Sequence, residues 1–244
     1  QRMPESQKLP LTAHLDELRR RLWISVLVVT LASVASFGWA GTLIDWLKRP
    51  AGKTLPTLAF FSPPEAMLAY LKVAVTAGLV LSLPLLLHEL WLFVSPGLTR
   101  QERRYGLAFV WWGTWLFLGG AAFAYWILLP LSLRFLLTFG GGQLTPVISI
   151  NQYLSFTTTV LLVCGMVFEL PLAIFLLAKI GVLNAATLRR QWRYALVAMA
   201  IAAAVLTPTA DVATMVLMLI PMLALYEVSI WAARIAAPRK RNDG

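Results

Sequence analysis

The chain predicts an all-α, polytopic membrane protein with six transmembrane helices and both termini on the cytoplasmic side. Three observations carry that expectation. Of its 244 residues 59% are hydrophobic and 13% charged, whereas an average soluble domain is roughly 45–50% apolar and about 25% charged. Too few polar side chains remain to cover a soluble core of this size. The apolar residues fall in runs long enough to cross a bilayer, which takes about 20 residues of helix. Finally, the basic residues behind the net charge of +10 lie mostly in alternate loops, as the positive-inside rule requires.

Four runs are plain. Trp23–Ile44 has no charge, and Ala66–Val94 carries Lys72 near one end and His88 and Glu89 near the other. Lys72 is placed to snorkel toward the headgroups. Leu107–Leu133 is uncharged, and Tyr153–Ala178 is interrupted only by Glu169. The stretch Ala195–Ala233 is too long for one crossing, and Thr207-Pro-Thr-Ala-Asp211 breaks it near the middle. The first apolar run, 22 residues long, exceeds the 7–15 residues of a cleavable signal core and predicts a retained span.

Loop charge sets the topology. Of the 21 Lys and Arg residues, 16 lie before the first span, between the second and third, after the fourth, or at the carboxyl end. Placing these loops inside puts both termini inside, so the number of spans is even and the last stretch is a hairpin. The expected unit is one transmembrane domain over residues 1–244. Its helices run at about 23–44, 66–94, 105–138, 152–179, 192–206 and 211–234, the last two short. Leu11, Leu15, Leu18 and Leu22 add an amphipathic segment, 12–22, ahead of the first span. Pro84, Pro130, Pro171 and Pro221 predict kinks in four helices.

So few polar groups remain that each can be weighed. Glu17 stands four residues before Arg21, the spacing of a helix-surface ion pair. Thr99-Arg-Gln-Glu102 fits a capping box, and Asp211 sits where a helix N-terminus favours a carboxylate. Glu89 and Glu227 lie near helix ends, where structural or interfacial roles are the simpler reading. Glu169 differs: an ionisable residue deep in a span is a functional candidate by default. Pro171, two residues on, leaves the carbonyl of Val167 without its helical donor.

Cys164, His14 and His88 are the only Cys and His residues, too few for a structural metal site or a disulfide framework. No phosphate-binding loop, zinc-protease motif or intramembrane-protease pair is present. The expectation is a non-enzyme without cofactor, and the basic charge marks topology rather than nucleic acid. One alternative is a proton- or cation-coupled secondary transporter using Glu169, although the paired repeats common in transporters are absent.

Several segments together resemble the TatC family, the multi-spanning receptor subunits of twin-arginine protein translocases. They are His14-Leu-Asp-Glu-Leu-Arg-Arg-Arg-Leu22, Ser62-Pro-Pro-Glu-Ala66, Trp91-Leu-Phe-Val-Ser-Pro-Gly-Leu98, Glu102-Arg-Arg104, Ala122-Phe-Ala-Tyr125, Phe168-Glu-Leu-Pro171 and Leu206-Thr-Pro208. The order and span of the set, rather than any single piece, make it specific. One departure is that the family often has Leu-Thr-Pro-Pro-Asp where this chain reads Leu206-Thr-Pro-Thr-Ala-Asp211.

The resemblance implies a concave, glove-like bundle in the inner membrane that binds twin-arginine signal peptides of folded cargo. It implies work with single-span TatA- and TatB-type partners, driven by the proton-motive force, in a homo-oligomeric core within a larger complex surrounded by lipid. It assigns signal-peptide binding to Glu17, Glu102, Arg19, Phe93 and Pro96. Buried polar or partner-contact roles fall to Glu169, Asp211, Tyr125 and Pro50. Carboxylates suit the first task because they hold a guanidinium through paired hydrogen bonds that an ammonium cannot reproduce.

Overall fold

The computed structural model describes residues 11–54, 58–97, 102–138, 147–207 and 211–236. Ten α-helices account for most of them: α1 Leu11–Phe37, α2 Ala40–Lys48, α3 Pro63–Val94, α4 Gly106–Phe123, α5 Leu129–Thr138, α6 Ile150–Phe168, α7 Leu170–Lys179, α8 Ala185–Arg190, α9 Trp192–Leu206 and α10 Val212–Ala236. Two-residue strands, β1 Leu58–Ala59 and β2 Ile148–Ser149, pair in parallel and tie the loop before α3 to the loop before α6.

Continuous or bent, these helices make five stretches long and apolar enough to cross a membrane: Leu15–Phe37, Pro63–Val94, Arg103–Thr138, Ile150–Lys179 and Val212–Ala236. A shorter apolar helix, α9, has 15 residues and reaches only about 22 Å at 1.5 Å per residue. Both helices of the closing hairpin were expected to be short, and only α9 is. The apolar pattern after Asp211 runs on to Ala236, giving α10 a length of 25 residues.

The first span also differs from expectation. The amphipathic segment and the apolar run form one unbroken helix, α1, which ends at Phe37. Gly38 and Trp39 make a turn, and the remaining apolar residues form the separate α2. Glycine in a helix interior costs about 1 kcal/mol relative to alanine, and the break falls at the single glycine of that run that is followed by a bulky aromatic.

Two bends trace to proline. Glu169 is the link between α6 and α7, and Pro171 occupies the first turn of α7, where its missing N–H costs nothing. Between α4 and α5 the chain makes one π-turn, Ala124–Leu128, directly before Pro130. A proline cannot donate to the preceding turn, and the widened turn absorbs the shift. Pro84 and Pro221 lie inside α3 and α10, which remain continuous helices.

Helix contacts are set by small residues. A Cβ on Gly78 of α3 would lie 2.5 Å from the backbone nitrogen of Ser33, so the α1–α3 seam closes only over glycine. Gly120 of α4 plays the same part against the carbonyl of Cys164 in α6. Larger side chains fill the rest. Ile44, Val73, Leu128, Leu129, Tyr153 and Leu154 form one cluster among α2, α3, α5 and α6. Leu83, Leu87, Trp91, Phe109 and Phe117 form another between α3 and α4, and Met199, Met218 and Met222 bring α9 and α10 onto α6.

Candidate functional site

One end of the bundle holds the amino-terminal turns of α1, the end of α3, the start of α4, the end of α7 and the end of α10. This is the Arg-rich end. Here α1 supplies Asp16, Glu17, Arg20, Arg21 and Ile24, and α3 supplies Glu89 and Leu92, to the wall of a cavity of about 580 Å³.

The Arg21 guanidinium lies between two carboxylates. Its Nε and Nη2 donate to Glu17 Oε1 at 3.1 and 2.5 Å, and its Nη1 donates to Glu89 Oε2 at 2.9 Å. The Glu17–Arg21 pair is the i,i+4 contact that spacing predicts. Glu89 is the addition, reached across 68 residues of sequence by the packing of α3 on α1. Nothing local marks Glu89 as a partner of Arg21.

Phe93 follows Glu89 by one turn of α3 and is half-buried. Pro96 is exposed in the 3-10 turn Ser95–Gly97 that closes the helix. Arg103 fastens that turn, its Nε and Nη2 donating to the carbonyls of Ser95 and Pro96 at 3.0 and 3.2 Å. Arg19 is exposed on α1. Glu102 opens a short 3-10 helix, Glu102–Tyr105. Its side chain and Thr99, and with them the capping box, lie outside the described part of the structure.

The remaining expected residues lie elsewhere. Glu169 stands a full α7, 10 residues or about 15 Å, from the Arg-rich end. Its Oε1 is buried without a hydrogen-bond partner among the described residues, and its Oε2 lies 3.3 Å from where a Cβ on Gly113 of α4 would be. The absent side chain at Gly113 makes room for the carboxyl. Asp211 caps α10, its Oδ1 accepting from the backbone N–H of Thr214 at 2.7 Å. It also lines a cavity of about 990 Å³ between α5 and α10, together with Arg134.

Tyr125, in the π-turn, donates its hydroxyl to the carbonyl of Trp46 at 2.8 Å, and Tyr153 does the same to Leu47 at 2.8 Å. Pro50 is half-buried in the 3-10 turn Arg49–Thr54 that follows α2. Tyr125 and Pro50 thus belong to the end opposite Glu17.

That opposite end holds polar contacts absent from the sequence reading. Glu65 is buried and accepts from the backbone N–H of Phe61 at 2.6 Å and from the hydroxyl of Ser149. Lys72, expected to reach for headgroups, instead turns inward to Asn151 Oδ1 at 2.9 Å and to the hydroxyl of Ser155. Partly buried acceptors on α6 thus take two of the ammonium's three donors. Ser62-Pro-Pro-Glu65 is a helix-start pattern, with Glu65 at the third helical position. It marks Glu65 as a cap while leaving Ser149 unseen.

Among the described residues no group of three or more His, Cys, Asp or Glu residues could hold a metal ion.

The family model for the Sec-independent protein translocase protein TatC matches residues 13–221. A protein of that name from Carboxydothermus hydrogenoformans is 36% identical over 236 residues, covering 97% of each chain. Its counterpart from Aquifex aeolicus is 37% identical over 238 residues, 96% of this chain and 98% of its own. The crystal structure of a twin arginine translocase receptor, TatC, superposes with a TM-score of 0.82 at 36% identity, over 91% of this chain and 99% of the other. A second crystal structure of that receptor, in DDM, gives 0.81. With matches that run nearly end to end in both sequence and fold, this multi-pass membrane chain belongs to the TatC family of Sec-independent protein translocase proteins.

Proposed function

We propose that the chain is the receptor and assembly core of a twin-arginine translocase, binding the twin-arginine signal peptides of folded precursor proteins. The observation that carries this is the seat of Arg21. At the Arg-rich end, carboxylates from two helices already hold one guanidinium at hydrogen-bonding distance beside an open cavity. Glu17 and Glu102 take the arginine pair, with Arg19, Phe93 and Pro96 around it. An aromatic such as Phe93 suits the apolar residues that follow the arginines.

The Arg-rich end faces the cytoplasm in this reading, with both termini inside and the bundle in the inner membrane. Glu169, Asp211, Tyr125 and Pro50 serve contacts with TatA- and TatB-type single-span partners or support the helices that make them. The chain carries out no chemistry of its own; the proton-motive force drives export. It acts as a single membrane domain, in several copies within the larger complex and its lipid. Family membership displaces the secondary-transporter alternative.

A photo-crosslinker at position 17 or 102 tests the receptor reading. An Arg-Arg signal peptide is expected to crosslink at both positions and a Lys-Lys peptide at neither. Equal capture of the two peptides overturns the reading.

A further inference from the structure

We infer that Glu89 is a second carboxylate of the arginine-reading site, and that Arg21 is its resting occupant, displaced from Glu89 when a peptide guanidinium enters. The inference rests on the receptor reading above and extends it to a residue and an exchange that sequence spacing does not reveal.

The first ground is the way Arg21 is held. A helix-surface pair needs only Glu17 and one edge of the guanidinium. Here all three guanidinium nitrogens are used, two on Glu17 and one on Glu89, so the group spans two helices. An ammonium is a point charge and cannot bridge two carboxylates in this planar way. The pocket between α1 and α3 therefore already has the shape of a guanidinium seat.

The second ground is the acceptor capacity that remains. Arg21 uses one oxygen of each carboxylate. Glu17 Oε2 and Glu89 Oε1 accept no hydrogen bond among the described residues. An ionised carboxylate has about four lone-pair sites, so each partner has room for another donor. The cavity that both line has Asp16 on its wall as well, against Arg20 and Arg21, an acidic surplus within a chain of net charge +10. An incoming cation meets attraction there.

The third ground is the degree of burial. The side chains of Arg21, Glu17 and Glu89 are 20, 27 and 18% exposed. That is dry enough to strengthen charge-assisted hydrogen bonds, and open enough for one guanidinium to replace another. In the exchange Arg21 keeps Glu17 while its Nη1 leaves Glu89, whose carboxylate passes to the peptide. No carboxylate is left unpaired at any stage, which avoids the large penalty of an uncompensated buried charge. The internal arginine thus sets a threshold that a ligand offering only ammonium groups does not cross, a repulsive element of specificity.

The test is peptide binding to the purified full chain, measured with an Arg-Arg signal peptide and its Lys-Lys counterpart. For Glu89→Gln the Arg-Arg over Lys-Lys affinity ratio should fall about tenfold, the scale of one lost charge-assisted pair. Arg21→Gln should raise Arg-Arg affinity several-fold, and that gain should vanish in the double variant with Glu89→Gln. The ratio cancels general destabilisation. If Glu89→Gln lowers the melting temperature but keeps the parental ratio, Glu89 is structural and the inference is overturned. An Arg21→Gln chain that binds Arg-Arg no better than the parent overturns it too. A parent chain that binds both peptides equally overturns the receptor reading itself, a distinct outcome visible before any variant is made.

Discussion

The two ends of the bundle are held by different kinds of contact. At the end away from Glu17, polar side chains mostly close on backbone groups or buried hydroxyls. Tyr125 and Tyr153 reach the carbonyls of Trp46 and Leu47, Glu65 takes the N–H of Phe61 and the hydroxyl of Ser149, and Lys72 holds Asn151 and Ser155. At the Arg-rich end, beside the backbone contacts of Arg103, ion pairs with accessible sides join the helices: Arg21 with Glu17 and Glu89, and Arg189 with Glu227 at 2.6 Å. The buried members of the first set, Glu65, Ser149 and Tyr153, have little access to water as an alternative partner, so they fix helix positions. The second set joins groups that water or another charge can also satisfy, so it can be exchanged. A receptor needs both, a rigid frame and a place where one ion pair gives way to another.

The largest effect that would break this comparison comes from Glu65. Replacing it with Ala leaves the N–H of Phe61 and the hydroxyl of Ser149 without their acceptor. The loss is expected to be about 3 kcal/mol, within the range for removing a buried charged acceptor. Thermal unfolding in detergent measures it, and a parental melting temperature would mean that this end is not pinned through Glu65. Tyr153→Phe should cost about 1 kcal/mol, the usual net value of one hydrogen bond. Tyr125→Phe should cost less, because Tyr153 is 2% exposed whereas Tyr125 is only partly buried. The reverse ranking would place the stronger pin on the π-turn instead. Arg189→Ala should be the mildest, at about 0.5 kcal/mol or less, because both partners are more than half exposed. A cost as large as that of Glu65 would erase the distinction between the two ends.

Much of the bundle is legible because its signals are local. Apolar runs and their breaks locate the helices. Pro171 locates the α6–α7 bend, and the four-residue spacing of Glu17 and Arg21 locates their contact. Asp211 at the start of α10 caps it, as its position implies. Each of these depends on neighbours within a turn or two, where helical geometry alone sets the distance.

The tertiary structure decided what lies between helices. It gave Arg21 a second carboxylate 68 residues away and turned Lys72 from the headgroups to acceptors 79 and 83 residues away. It also joined Glu65 to Ser149 and opened a space beside Gly113 for the Glu169 carboxyl. The physical reason is that periodicity defines which face of a helix is apolar but not which helix that face meets. That choice depends on close approaches such as Gly78 against Ser33, where a missing side chain lets two backbones touch. The sequence by itself thus determined a multi-spanning α-helical chain of the TatC type with acidic residues at its Arg-rich end. Only the packing of α3 on α1 decided that two of those carboxylates share one guanidinium.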